Sequence, residues 1–332
     1  MPSSTSPSKS RIPRTAAGLL VAALAAWGVG AFYTLYLNPE MAFFKYAARI
    51  KHEWAQKLER DYPHKFVIFG GSSCGVAIDG ERLLEQHDLP TVNLGLAAGM
   101  GAGVLTRYAQ QEVRPGDTLI VALEPQLLTD TTQPTAVGTQ FCFATDRASL
   151  LRQAGSSSRL SSLLALRPGA FNVITLIGKI LAGRPLYRYR TSDIRPSGCW
   201  TALLVQWPLD GPPVRGPELT PDARKLLASL RSWCDQNRVR VAYALPWGFV
   251  PEAKLARFRK DNVDFLSQIC GFLPVLKDPA LGTISRRDLY ADTNWHLTPE
   301  GARLRTDELA RELQQWDVWS SNELNQLAHA PD

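Results

Sequence analysis

The sequence predicts an α/β protein: a parallel five-stranded sheet covered by helices on both faces, preceded by one N-terminal transmembrane helix. Three observations carry this expectation. Residues 15–37 hold no charged side chain. Beyond them, short apolar runs bounded by glycine or proline alternate with longer amphipathic stretches, the rhythm of βα units. The apolar runs are unbroken, as expected of strands buried on both faces of a sheet.

Residues 1–14 are rich in Ser and Pro and carry Lys9, Arg11 and Arg14; they read as a cytoplasmic tail. The 23 uncharged residues 15–37 exceed the roughly 20 needed to cross the hydrocarbon core. The basic flank predicts a cytoplasmic N-terminus, with the rest of the chain on the periplasmic or extracytoplasmic side of the inner membrane. Ala23-Leu24-Ala25 resembles a signal-peptide cleavage site, but the apolar run continues a dozen residues past it. An uncleaved single-pass anchor is therefore expected.

Residues 38–63, with Phe43, Phe44, Tyr46 and Trp54, read as a juxtamembrane helix. Strands are expected at His64–Phe69, Thr91–Gly95, Thr118–Leu123, Arg240–Leu245 and Leu273–Leu276. Helices are expected over Glu81–His87, Gly101–Val113, Pro221–Gln236 and 251–270. A last one starts at Pro299 with Thr298 as N-cap. The stretch 125–215 is rich in Ser, Thr, Pro and Gly and reads as an insertion with helical pieces at 146–153, 158–166 and 170–182. The α/β domain then runs over 64–320 and a C-terminal tail over 321–332.

The formal charge of +6 is spread over scattered lysines and arginines, with no basic stripe interleaved with aromatics. Nucleic acid is therefore not an expected partner. Five cysteines show no CxxC or Cys/His spacing, so no metal site and no cofactor are expected. An odd count leaves at least one thiol free in an oxidising compartment.

In parallel sheets, ligands bind beyond the carboxyl ends of the strands. Ser72, Ser73, Asn93, Gly95 and Glu124 all fall at such ends, and the loop holding Asp292 and His296 can reach the same rim. A serine hydroxyl needs an imidazole to take its proton. The imidazole needs a carboxylate to fix its tautomer, and the oxyanion needs N–H donors such as a glycine-rich turn supplies.

These blocks resemble the SGNH/GDSL hydrolase superfamily, in its membrane-anchored cell-envelope branch that includes proteins of polysaccharide O-acetylation and teichoic-acid alanylation. The resemblance implies a flavodoxin-like three-layer sandwich. It takes Gly71-Ser72-Ser73 as the first block, with Ser73 as nucleophile, and Gly95 in Asn93-Leu-Gly95 as an oxyanion donor. Asp292 and His296, followed by Leu-Thr-Pro-Glu-Gly, form the last block. The acid-to-histidine spacing is one residue longer than the family's. Its third-block asparagine is replaced by Leu123-Glu124-Pro125-Gln126, which leaves Gln126 as the substitute donor.

The implied activity is a serine esterase or O-acyltransferase acting on an envelope or exported carbohydrate through an acyl-serine. A membrane acyltransferase is the implied protein partner. The alternative is a non-catalytic polysaccharide assembly or binding protein on the same fold. Other readings of single residues stand beside these. The Gly70–Ser73 turn also suits a phosphate, although no Walker lysine follows. Gly71-Ser72-Ser73-Cys74-Gly75 also fits the G-x-S-x-G elbow of α/β-hydrolases, in which Asp278 would be the acid. Chain order favours the SGNH reading, because the serine follows the first strand. Cys74 reads as a packed residue, and Glu124 as a hydrogen-bonded structural one.

Overall fold

Strand residues of alternating parity face opposite sides of a sheet, and here both sides are buried. The computed structural model describes residues 14–130, 134–153, 163–166, 170–184, 187, 189–201, 208–211 and 218–328. Most of the expected cytoplasmic tail, the start of the 158–166 helix and the last four residues lie outside these.

Four parallel strands, β1 (Phe66–Gly70), β2 (Thr91–Asn93), β3 (Thr118–Ala122) and β4 (Arg240–Tyr243), form one sheet in the order β2-β1-β3-β4. Phe66 pairs with Thr91 on one side and Thr118 on the other, and Thr118 pairs with Arg240. Val67, Phe69, Leu119, Val121, Val241 and Tyr243 enter one apolar cluster; Ile68, Ile120, Ala122 and Ala242 enter another. The first is capped by the helices Pro39–Asp61, Ala102–Gln110, Pro221–Gln236 and Leu255–Cys270. The second is capped by Ser72–Ala77, Gly80–His87 and Pro299–Gln315.

The sheet has four strands, not the five expected. Leu273–Leu276 lies beside β4 but makes only one parallel bridge, Tyr243↔Val275. Tyr243 N donates to Pro274 O at 2.8 Å and Leu276 N to Tyr243 O at 2.9 Å. Pro274 has no N–H to give, which shortens the ladder at that point. A separate pair of two-residue strands joins Gly248–Phe249 to Thr283–Ile284.

A single helix runs over Arg14–Phe32 and continues as a π-helical turn, Tyr33–Leu37. Its segment Ala16–Leu37 is long and apolar enough to cross a membrane and is almost entirely uncovered by the rest of the chain. Asn38 stops it and caps the next helix, Pro39–Asp61, by accepting from Glu40 N at 3.0 Å. That helix is part of the core: Phe43, Phe44, Ala47, Ala48, Lys51, Ala55 and Leu58 are buried. Residues 321–328, expected within a tail, form a helix whose Leu324 is fully buried.

Candidate active site

The order β2-β1-β3 reverses direction at β1, and the crevice beyond the carboxyl ends of β1 and β3 is where such sheets take ligands. The chain leaves β1 through Gly70-Gly71 and turns into the helix Ser72–Ala77. Glu124 follows β3 and is buried; its carboxylate accepts from Gly71 N at 3.0 Å and Ser73 N at 3.1 Å. A Cβ at position 71 would stand 2.4 Å from Glu124 Oε1, so the carboxylate's approach requires glycine there. Glu124 therefore holds the serine turn.

His296 Nε2 and Ser72 Oγ are 2.8 Å apart, and His296 Nδ1 and Asp292 Oδ1 are also 2.8 Å apart. The side chain of Asp292 is fully buried and that of His296 is 9% exposed. The loop is set by its own backbone: His296 N donates to Thr293 Oγ1 at 3.0 Å, and Ala291 N to His296 O at 2.8 Å. This turn absorbs the longer Asp–His spacing and still brings carboxylate and imidazole together.

The serine at the histidine is Ser72, not Ser73. Ser72 is half-buried at the first helical position, whereas Ser73 is 1% exposed and its Oγ has no hydrogen-bond partner. Successive helical residues are rotated by about 100°, so Ser73 turns toward the sheet and Ser72 toward the rim.

Gly95 is also placed differently from its expected role. Its N–H donates to Asn93 Oδ1 at 2.8 Å and so is already engaged. A Cβ at Gly95 would lie 2.3 Å from Gly75 N, which makes the glycine a packing requirement. Asn93 is fully buried; its amide donates to Cys74 O at 2.9 Å and Ile78 O at 2.6 Å. It ties the serine helix to β2. Gln126 is half-buried at the start of a four-residue helix, and no hydrogen bond joins it to Ser72, His296 or Asp292.

Cys74 is buried, and burial pushes its thiol far up, away from the reactive thiolate. All five cysteines are free thiols. Asp278, the acid of the α/β-hydrolase reading, accepts from Ala280 N and Gly282 N in its own loop at 2.9 and 2.8 Å.

One site residue gave no signal in the sequence. The Tyr189 hydroxyl lies 3.3 Å from Asp292 Oδ2 and 3.3 Å from His296 Nδ1. It comes from the insertion, and its ring packs on Phe43 with centroids 5.7 Å apart. A cavity of about 520 Å³ opens beside Leu297 and Val76, lined by Asp79, Glu81 and Glu85 and by Arg82, Arg195 and Arg303. Its lining does not include Ser72, His296 or Asp292. Asp278, Glu308 and Glu312 bring carboxylate oxygens within 4.8 Å of one another, but Arg305 pairs with Glu312 there at 2.5 Å, which makes it an ion-pair cluster.

No family model, curated protein or solved structure matches the chain.

Proposed function

We propose that the protein is a membrane-anchored serine esterase or O-acyltransferase of SGNH type, with Ser72 as nucleophile. The observation that carries the reading is the continuous relay Asp292–His296–Ser72, joined by two contacts of 2.8 Å. A serine following the first strand and an acid and histidine before the last helix are also the chain order of that superfamily. The carbohydrate substrate and a membrane acyltransferase partner rest on the resemblance alone.

In the proposed reaction Asp292 accepts from Nδ1–H and leaves Nε2 free to take the Ser72 proton. Ser72 Oγ attacks the ester carbonyl, and His296 then returns the proton to the leaving alkoxide. The resulting acyl-Ser72 is attacked by water or by a sugar hydroxyl, whose proton His296 removes and then returns to Ser72 Oγ as the acyl group departs. Ser72 N–H, at the first helical position, has no intrahelical acceptor and is the oxyanion donor the turn offers. Tyr189 OH donates to the second oxygen of Asp292 and orients the carboxylate.

A second reading has its own support. The amides of Gly71 and Ser73 are taken by Glu124, and that of Gly95 by Asn93. Such a depleted donor set suits a non-catalytic polysaccharide-binding protein. Mass spectrometry of the full chain after treatment with a fluorophosphonate separates the two. The enzyme reading expects an adduct on Ser72 that is lost in Ser72→Ala, kept in Ser73→Ala and slowed on the order of 100-fold or more in His296→Ala. Folded protein with no adduct would move the reading to the binding protein.

A further inference from the structure

The insertion holds a helix, Ala170–Leu181, whose described side chains include three strongly exposed apolar ones: Ile177 at 51%, Ile180 at 58% and Leu181 at 82%. Leu163 and Leu164, a few residues earlier, are 41% and 51% exposed. Among the described residues, apart from Leu327, every other large hydrophobic exposed to this degree lies on the Ala16–Leu37 helix. Exposed patches of this kind mark a surface with a missing partner.

One contact and one electrostatic influence set this part of the insertion against the N-terminal helix. Trp27 Nε1 donates to Leu163 O at 3.1 Å, so the segment begins at Leu163 against the middle of the apolar span. At its other end, Lys179 is close enough to act electrostatically on Glu40, the first acid after the span. Burial raises the Glu40 carboxyl and Lys179 opposes that rise.

Trp27 lies in the middle of Ala16–Leu37, and Glu40 three residues past its end. The 12 residues of Ala170–Leu181 cover about 18 Å, too short to cross a core of about 30 Å, and Lys179 sets the end of this helix near the level of Glu40. In lipid a backbone carbonyl needs an internal donor, and the Trp27 indole supplies one to Leu163.

We propose that Leu163–Leu166 and the helix Ala170–Leu181 of the insertion enter the bilayer beside the N-terminal span, with Leu164 and Ile177 facing the acyl chains and Ile180 and Leu181 at the interface. The protein then meets the membrane through two elements, and the second belongs to the same insertion that carries Tyr189 to the catalytic acid. The inference rests on the reading of Ala16–Leu37 as membrane-crossing.

Spin labels on the full chain in phosphatidylcholine nanodiscs test it. Labels go at Leu164→Cys and Ile177→Cys, with Leu24→Cys as span reference and the exposed Lys254→Cys as water reference, all in a Cys270→Ser background. Positions 164 and 177 are expected to collide with dissolved oxygen in preference to a water-soluble nickel chelate, as Leu24 does and Lys254 does not. Preference for nickel at 164 and 177, with Leu24 still oxygen-accessible, would overturn the inference and leave the span intact. Shielding from both reagents would overturn it too, by showing a protein cover. A water-like Leu24 would remove the span reading and this inference with it.

Discussion

Two adjacent serines differ in what surrounds them, and that difference decides the chemistry. Ser72 Oγ meets an imidazole, while Ser73 Oγ is enclosed without a partner. Glu124 sets this arrangement by gripping the amides on either side of Ser72. Glu124→Ala leaves both donors unpaired and frees the turn. A misplacement of about 1 Å costs on the order of 100-fold in rate. We expect Glu124→Ala to slow fluorophosphonate labelling of Ser72 by about that factor while the far-ultraviolet circular dichroism stays native. An unchanged labelling rate would show that the turn holds its shape without the carboxylate.

At the scale of elements, the helix Pro299–Gln315 follows the loop of Asp292 and His296 and carries a buried charge pair. Arg305 and Glu312 are 3% and 2% exposed and 2.5 Å apart, and Arg305 also reaches Leu245 O at 3.4 Å. Removing one partner of such a pair strands the other in a low dielectric, at a cost of about 3–5 kcal/mol. Arg305→Ala, which strands Glu312 beside Asp278 and Glu308, should lower stability by that amount in chemical denaturation of the detergent-solubilised protein. A change below about 1 kcal/mol would mean that water reaches the carboxylates. His296 begins this helix's approach, so the same variant should also labilise the relay.

At the scale of the molecule, Lys51 joins the helix after the membrane span to the sheet and to the insertion. It is fully buried; its ammonium donates to Asn93 O at 2.7 Å and to Gly198 O, and lies 5.0 Å from the Trp200 ring centroid. Burial lowers its pKa to about 7, against the opposing influence of Cys74 and Cys199. An unfolded lysine titrates near 10.4. From about pH 7 to about 8, below the range in which unfolded thiols ionise, Lys51 therefore binds more protons in the unfolded chain than in the folded one, and its contribution raises stability with pH by up to about 1.4 kcal/mol per unit. At higher pH the cysteines, pushed up by burial, act in the opposite sense. Below about pH 7 both states are protonated and this contribution levels off. Lys51→Met should remove this rise in denaturant midpoints measured from pH 7 to 8. A slope that persists in the variant would assign it to other groups.

The same molecule-wide view shows how much was legible. β1 and β3 are nearly continuous apolar runs, β4 becomes one after Arg240, and β2 is short and bounded by Pro90 and Gly95, so run length and boundaries reported them. The fifth failed at Pro274, where an apolar pattern coexists with a missing donor. Asp292 and His296 were legible because the motif names their types and a short turn brings them together. The choice between Ser72 and Ser73 was not, because it depends on where the helix begins after Gly71. Tyr189 was invisible for a different reason: 103 residues separate it from Asp292, and only the packing of the insertion on Phe43 joins them.

The helix Pro39–Asp61 begins one residue beyond the π-helical turn and is fixed in the core at Lys51. Thirteen residues from Asn38 to Lys51 measure about 20 Å, and Lys51 touches Asn93, which in turn holds Cys74, two residues from Ser72. On the proposed function, with Ala16–Leu37 in the membrane, the helix is a mooring of fixed length, and the Ser72 hydroxyl would keep station a few nanometres from the bilayer surface. A freely diffusing ester would gain nothing from such a berth. A chain that emerges through the membrane, or is carried on a lipid, would pass the same point with every unit added and be met there one unit at a time.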